Sequence, residues 1–189
     1  RHSSSAASDV YKRQVASLLA SSLICSVQAG TKFTKTTDGN DFTEELKATA
    51  KAFGDTKKKD NVMTEAEKEF LATGKNIYVG DAAAEKRGGK RFGYWSCTQC
   101  HGKTAKGQVG PGLVGPTFRY PKDITNQGMF ETIWYGTNGG MGGKGFGVMT
   151  ADDGMTVDEL LKTIAWIRTN GSKGVTGNED EYMTKFLNQ

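Results

Sequence analysis

The stretch Ser96-Cys97-Thr98-Gln99-Cys100-His101-Gly102, written SCTQCHG, carries two of the chain's three cysteines and its one histidine beyond position 2. On a helix, residues 97 and 100 fall about one turn apart on one face, and the imidazole follows directly. Structural zinc needs four ligands, generally two such pairs, and beyond residue 29 the sequence offers only Cys97, Cys100 and His101. A thioredoxin-like redox pair sits in a βαβ context, whereas no segment here alternates apolar and polar residues over four or more positions. A disulfide between Cys97 and Cys100 would close too short a loop to add much stability. Attachment of a c-type haem uses all three residues: the two thiols can add to the two vinyl groups of a porphyrin, and the adjacent imidazole is aimed at the iron.

Residues around the motif support that reading. Gly89 and Phe92 set a glycine and an aromatic about a turn apart on the helix leading to Cys97, which permits a close helix crossing and gives Phe92 a contact with Trp166. Gly110-Pro111-Gly112-Leu113 begins nine residues after His101. A proline carbonyl there could accept the Nδ1 proton of His101 and fix its tautomer, although the same residues also make a simple turn. The sixth iron ligand should be a methionine sulfur, since the only other histidine is His2. Met129 lies on an apolar helical face, Met63 precedes the domain and Met183 trails it, which leaves Met141, Met149 and Met155. Met141 lies between Gly139-Gly140 and Gly142-Gly143, whose backbone freedom suits the placement of a thioether over a porphyrin, and it is the expected ligand.

The 189 residues suit one globular domain with an extension. A formal charge of +4 is spread among 21 acidic residues, which is not the footprint of a nucleic-acid binder. Residues 1–14, RHSSSAASDVYKRQ, have no apolar period and read as a non-native scar. Residues 15–29, VASLLASSLICSVQA, read as a signal peptide cleaved after Val27-Gln28-Ala29, so that the protein is exported and Cys25 leaves with the leader. The apolar run is shorter than the roughly 20 residues that span a bilayer, and no stable membrane insertion is expected. Arg1, Lys12, Arg13 and Asp9 precede Gly30, so the charge beyond that point is +2.

Residues 30–63 read as a polar, loosely packed extension with a short helix over 42–53 and a solvated lysine run at 57–59, residues 64–171 as the domain, and 172–189 as a tail. Thr64-Glu65-Ala66-Glu67 is a capping box that opens a helix running to about Tyr78 and burying Phe70, Leu71 and Ile77. The next helix, over 85–98, contains Gly88, Gly89 and Gly93 and needs tertiary support. A Gly- and Pro-rich loop over 102–122 leads to a helix over 126–135 that stops at Gly136, followed by an open glycine loop over 136–147. A second capping box, Thr156-Val157-Asp158-Glu159, begins a helix whose Val157, Leu160, Leu161, Ile164 and Ile167 keep a 3.6-residue period up to Gly171. The expected fold class is all-α with long loops.

Together, CTQCHG, GPGL, TFRYP, MFETIWYGTNGGMGG and LLKTIAWIR resemble the class I c-type cytochromes, and most closely the cytochrome c-L family, over about residues 64–170. The resemblance implies a class I cytochrome c fold around one covalently attached haem c, and a periplasmic electron carrier rather than an enzyme. Its electrons would come from a quinoprotein methanol dehydrogenase and leave to a downstream class I cytochrome c or an oxidase. By position, the resemblance implies Cys97 and Cys100 as thioether anchors, His101 as proximal ligand and Met141 as distal ligand. It further implies that Pro111 and Leu113 support the proximal side and that Phe118, Tyr120 and Trp134 line the pocket. A calcium ion near the haem propionates is implied as well, with ligands that the sequence does not place. The rival readings are a small haem peroxidase with an open sixth position, a haem-based sensor that binds through residues 30–61, and a carrier serving a different periplasmic dehydrogenase.

Overall fold

The computed structural model describes residues 31–53 and 62–170. The expected scar at 1–14, the signal peptide at 15–29, the lysine run at 57–59 and the tail at 172–189 lie outside the described residues. Among the described residues the regular structure is helical, with four isolated β-bridges and no strand. The helices are α1 (Thr43–Phe53), α2 (Glu65–Thr73), α3 (Ala82–Tyr94), α4 (Cys97–His101), α5 (Asn126–Tyr135) and α6 (Val157–Asn170), with a 3₁₀ turn at Pro121–Ile124. The all-α expectation holds.

The central seam is the crossing of α3 on α6, and its closeness explains the glycines in α3. A Cβ on Gly88 would lie 1.8 Å from the Lys162 carbonyl oxygen, and one on Gly89 would lie 2.7 Å from Trp166 Nε1. Phe92 packs on Trp166 with ring centroids 4.7 Å apart. Leu160, Leu161 and Ile164 of α6 are fully buried in the core against which this seam is built. Burial and shape offset the weak helix propensity of the glycines.

The capping box at Thr64 forms as read: Thr64 Oγ1 accepts from the Glu67 amide at 3.2 Å, and Glu67 Oε2 accepts from the Thr64 amide at 2.7 Å. Glu67 is fully buried, and its other oxygen accepts from the Asp158 amide at 3.2 Å, so one carboxylate ties the start of α2 to the start of α6. Burial pushes its acidity down, with its pKa raised above the ordinary carboxylate value. Three helix boundaries differ from those read in the sequence. Helix α2 ends at Thr73 because Gly74 turns left-handed at φ 77°, and Ile77 is 45% exposed instead of buried. Helix α3 starts earlier, capped by Asp81, and stops at Tyr94; Ser96 at φ 61° breaks the chain before the separate short α4. The second capping box forms only by half: Thr156 Oγ1 accepts from the Glu159 amide at 3.2 Å, while the Glu159 carboxylate pairs with Arg91 at 2.5 Å.

The expectation of a loosely packed extension is corrected. Phe33, Phe42, Leu46 and Ala50 belong to the core, and Phe33 lies 5.3 Å from Phe70 and 6.1 Å from Phe130, centroid to centroid. The segment also crosses α5 through polar bonds, since the Thr34 amide donates to Glu131 Oε1 at 2.9 Å and Gln127 Nε2 donates to the Lys32 carbonyl at 2.7 Å. Its polar composition hid these few apolar anchors, which are what hold it down.

Candidate functional site

Helix α4 carries the Cys-x-x-Cys-His group at the end of the α3 seam. Cys97 is half-buried, Cys100 is exposed, and both are free thiols. Burial raises the pKa of Cys97, opposed by the positive charge of Lys144, which brings the loop after α5 electrostatically close to the motif. His101 is buried, 7% exposed, and its Nδ1 lies 2.8 Å from the Pro111 carbonyl oxygen. That bond makes Nδ1 the protonated nitrogen, donating to the carbonyl, and leaves the Nε2 lone pair free to ligate a metal.

The loop that supplies Pro111 folds back over α4 through its own backbone. The Gly110 amide donates to the Cys100 carbonyl at 2.7 Å, the Gly107 amide to the His101 carbonyl at 2.9 Å, and the Leu113 amide to the Ala105 carbonyl at 2.8 Å. A Cβ on Gly110 would come within 3.2 Å of His101 Cε1, so a small residue there lets the loop lie against the ring.

Met141 lines the same space as His101. One cavity is lined by His101, Pro111, Leu113, Phe118, Tyr120 and Met141, together with the polar residues Arg119, Asp123, Thr132 and Thr137. Of the site residues expected from the sequence, this places six in one cleft, with Cys97 and Cys100 on the same short helix as His101. Trp134 stands apart from the lining. It is 1% exposed, stacks on Phe130 at 5.2 Å, and is covered by the backbone of Gly145, where a Cβ would lie 2.4 Å from its ring. Its place on the inward face of α5 puts it behind the Met141 loop. Neither alternative methionine lines the cavity: Met155 is fully buried in the core and Met149 packs half-buried against it.

The glycines flanking Met141 are less tightly constrained than Gly136. Gly136 sits at φ 79°, and a Cβ there would lie 2.3 Å from the Met141 carbonyl oxygen; the Thr137 amide donates to that carbonyl at 2.8 Å. Read first as the stop of α5, Gly136 also closes the loop that presents Met141. Beyond it, the loop is pinned by the Lys144 amide to the Ile133 carbonyl at 2.9 Å and by the Met155 amide to the Lys144 carbonyl at 2.7 Å.

Part of the cavity lining is polar. Arg119, Tyr120 and Thr137 gather around Gly139, where a Cβ would lie 3.1 Å from the Tyr120 hydroxyl, 3.5 Å from Thr137 Oγ1 and 3.7 Å from Arg119 Nη2. Asp123, 7% exposed, receives the Thr132 hydroxyl at 2.6 Å. Arg168 donates to the Asp123 and Thr125 carbonyls at 2.8 Å each and lies over the Phe118 ring. Asp123, Thr132 and Arg168 are not among the expected site residues: Asp123 lies outside the quoted stretches, and Thr132 and Arg168 lie inside two of them, but each acts through contacts that local spacing does not show. Among the described residues no group of three or more His, Cys, Asp or Glu side chains is arranged to hold a metal ion, so the calcium implied by the resemblance has no such cage there. No helix of the described residues is long and apolar enough to cross a membrane.

The donor set itself fits a haem iron: an imidazole with its Nδ1 engaged, a thioether in the same cleft, two free thiols on the same helix as the imidazole, and apolar lining from Leu113 and Phe118. No family profile matches the chain. Cytochrome c-L of Methylorubrum extorquens is 43% identical over 105 residues, covering 56% of this chain and 49% of the relative, so the chain spans about half the length of that relative. The crystal structure of cytochrome cL from the marine methylotrophic bacterium Methylophaga aminisulfidivorans superposes with a TM-score of 0.59 at 34% identity, covering 74% of this chain and 80% of that one. The crystal structure of cytochrome cL from Hyphomicrobium denitrificans gives a TM-score of 0.59 at 34% identity, with 74% and 73% covered. A helical fold, a Cys-x-x-Cys-His helix whose histidine lines one cleft together with a methionine, and this level of identity over most of two solved relatives place the chain in the cytochrome c-L family.

Proposed function

We propose that the protein is an exported, periplasmic monohaem c-type cytochrome that carries single electrons from a quinoprotein methanol dehydrogenase towards a downstream cytochrome c or oxidase. The observation that carries this reading is the shared cavity of His101 and Met141, with the His101 tautomer held by Pro111. Cys97 and Cys100 would hold the haem by thioether bonds, His101 Nε2 and the Met141 sulfur would be its axial ligands, and Arg119, Tyr120 and Thr137 offer donors suited to its carboxylates. When bound, the haem supplies reversible one-electron exchange.

The chain's own residues account for the rest. Pro111 keeps the imidazole oriented, so the ligand does not have to reorganise between redox states. Methionine ligation raises the potential, which suits an acceptor of electrons from a reduced quinone. Lys103 and Lys106 are exposed and Lys144 is half-buried, on the two loops around the cavity, where they would steer an encounter that salt weakens. Residues 31–53 have a packing role, which favours the carrier reading over a sensor that binds through this segment.

Two experiments test the proposal. Pigment that stays with the denatured chain and resists acid acetone is expected for thioether attachment; extraction of the pigment contradicts it. In stopped-flow mixing, the cognate dehydrogenase with methanol should reduce the protein much faster than it reduces an unrelated class I cytochrome. Equal rates would overturn the partner, whereas fast reduction indifferent to salt would remove only the lysine steering.

A further inference from the structure

Asp123 is the carboxylate among the residues that line the cavity of His101 and Met141. It is buried, and its Oδ1 receives the Thr132 hydroxyl at 2.6 Å. Thr132 Oγ1 lies in turn 3.1 Å from Thr36 Oγ1, and Thr36 is half-buried on the N-terminal segment that crosses α5. Three side-chain oxygens therefore make an unbroken hydrogen-bonded line from the cavity wall towards the outside. A hydroxyl is both donor and acceptor, so such a line can pass a proton by rotation of its O–H groups.

Charges face Asp123 from each element around it. Lys122, its neighbour in the 3₁₀ turn, is held by Glu131 of α5 at 2.7 Å. Arg168 of α6 donates to the Asp123 carbonyl, and Arg119, Tyr120, Thr137 and His101 complete the polar part of the cavity. Burial outweighs the Thr132 hydrogen bond and the attraction of Lys122 and Arg168, while Glu131 adds repulsion; together they lift the carboxyl from 3.8 to about 6. The group therefore changes charge at about pH 6 instead of in the ordinary carboxylate range.

We propose that Asp123, Thr132 and Thr36 form a proton-accepting group with its route to solvent, so that an electron entering the site is accompanied by a proton binding at Asp123. The proposal rests on the electron-carrier reading. In the balance, reduction adds one electron to the site, and a proton from the medium passes along the hydroxyls to form an O–H bond on the Asp123 carboxylate; oxidation returns both. An added negative charge in a poorly solvated cavity raises the proton affinity of a nearby carboxylate. By linkage, the bound proton raises the electron affinity of the site by the same factor.

The test is a redox titration of the intact holoprotein at a series of pH values on both sides of about 6. The midpoint potential should fall as pH rises, by about 59 mV for each tenfold difference in Asp123 proton affinity between the two redox states. Asp123→Asn should remove that step while leaving the titration of the haem's own carboxylates in place. Thr132→Val removes a hydrogen bond that favours the ionised form and should move the step to higher pH. An Asp123→Asn curve superimposable on the wild type would overturn the proposal, as would an unmoved step in Thr132→Val. If Asp123→Asn fails to accumulate, redox-difference infrared spectra of wild-type protein labelled with ¹³C-aspartate decide the matter. A protonated-carboxyl band that grows on reduction supports the proposal, and its absence contradicts it. A holoprotein with no reversible potential at all would instead strike at the electron-carrier reading itself.

Discussion

The α3/α6 seam and the His101/Met141 cavity are joined end to end but are built in different ways. At the seam, side chains are removed until two helix backbones nearly touch: the Cβ position of Gly88 lies 1.8 Å from a carbonyl oxygen on α6. In the cavity, no helix pair supplies the functional side chains. His101 comes from a five-residue helix, Met141 from a loop, and Pro111 from another loop held by backbone bonds to α4. The seam is a packing problem with one solution, whereas the cavity is an arrangement of donors around a space. Substitutions in the first should act on stability and in the second on spectrum, potential and pH response.

The largest expected effect is on the seam. Gly88→Ala should cost about 3 kcal/mol or more in denaturant unfolding, since the new methyl group meets backbone on α6 and can be accommodated only by moving a helix. A loss under about 1 kcal/mol would show that the helices are not locked at this crossing.

At the cavity end, Asp123 should act through pH. Its folded pKa is raised from 3.8 to about 6, so the native state binds the proton more tightly than the unfolded chain does. Its contribution is fully present below about pH 4 and is lost as pH rises through about 6. The resulting swing is at most about 3 kcal/mol, at 1.36 kcal/mol per pKa unit. Asp123→Asn should flatten the stability–pH curve between those values, and an unchanged curve would place the titrating group elsewhere.

Two smaller effects sharpen the contrast. Thr125 Oγ1 accepts from the Gly128 amide at 2.9 Å and caps α5, so Thr125→Ala should cost about 1 kcal/mol in thermal unfolding. Gly93 shares α3 with Gly88 but has nothing within 4 Å of its Cβ position. Gly93→Ala should therefore be neutral or stabilising by up to about 1 kcal/mol. Destabilisation by Gly93→Ala comparable to that by Gly88→Ala would mean that glycine in α3 serves something other than the close crossing.

The parts of the molecule that could be read from its sequence are those governed by local rules. The Thr64 capping box, the bounds of α5, the contact of Phe92 with Trp166 and the bond from His101 to Pro111 all follow from spacing and residue type, and the structure shows each. What escaped reading depends on partners far along the chain. Phe33 looks like a lone aromatic in a polar segment until Phe70 and Phe130 meet it. Asp123 looks like a turn residue until Thr132 and Thr36 line up behind it. The Glu159 carboxylate left its own helix cap because Arg91 offered a full charge where the cap offered a single amide.

The central claim is that the cleft between His101 and Met141 is closed by those two side chains as ligands of one haem iron. Absorption spectra of the oxidised protein test it most directly, comparing wild type with Met141→Ala and Met149→Ala. The methionine-to-iron charge-transfer band should be present in wild type, retained in Met149→Ala and lost in Met141→Ala, with the last variant also shifted to a lower potential. Persistence of the band in Met141→Ala would contradict the account and move the ligand to another methionine.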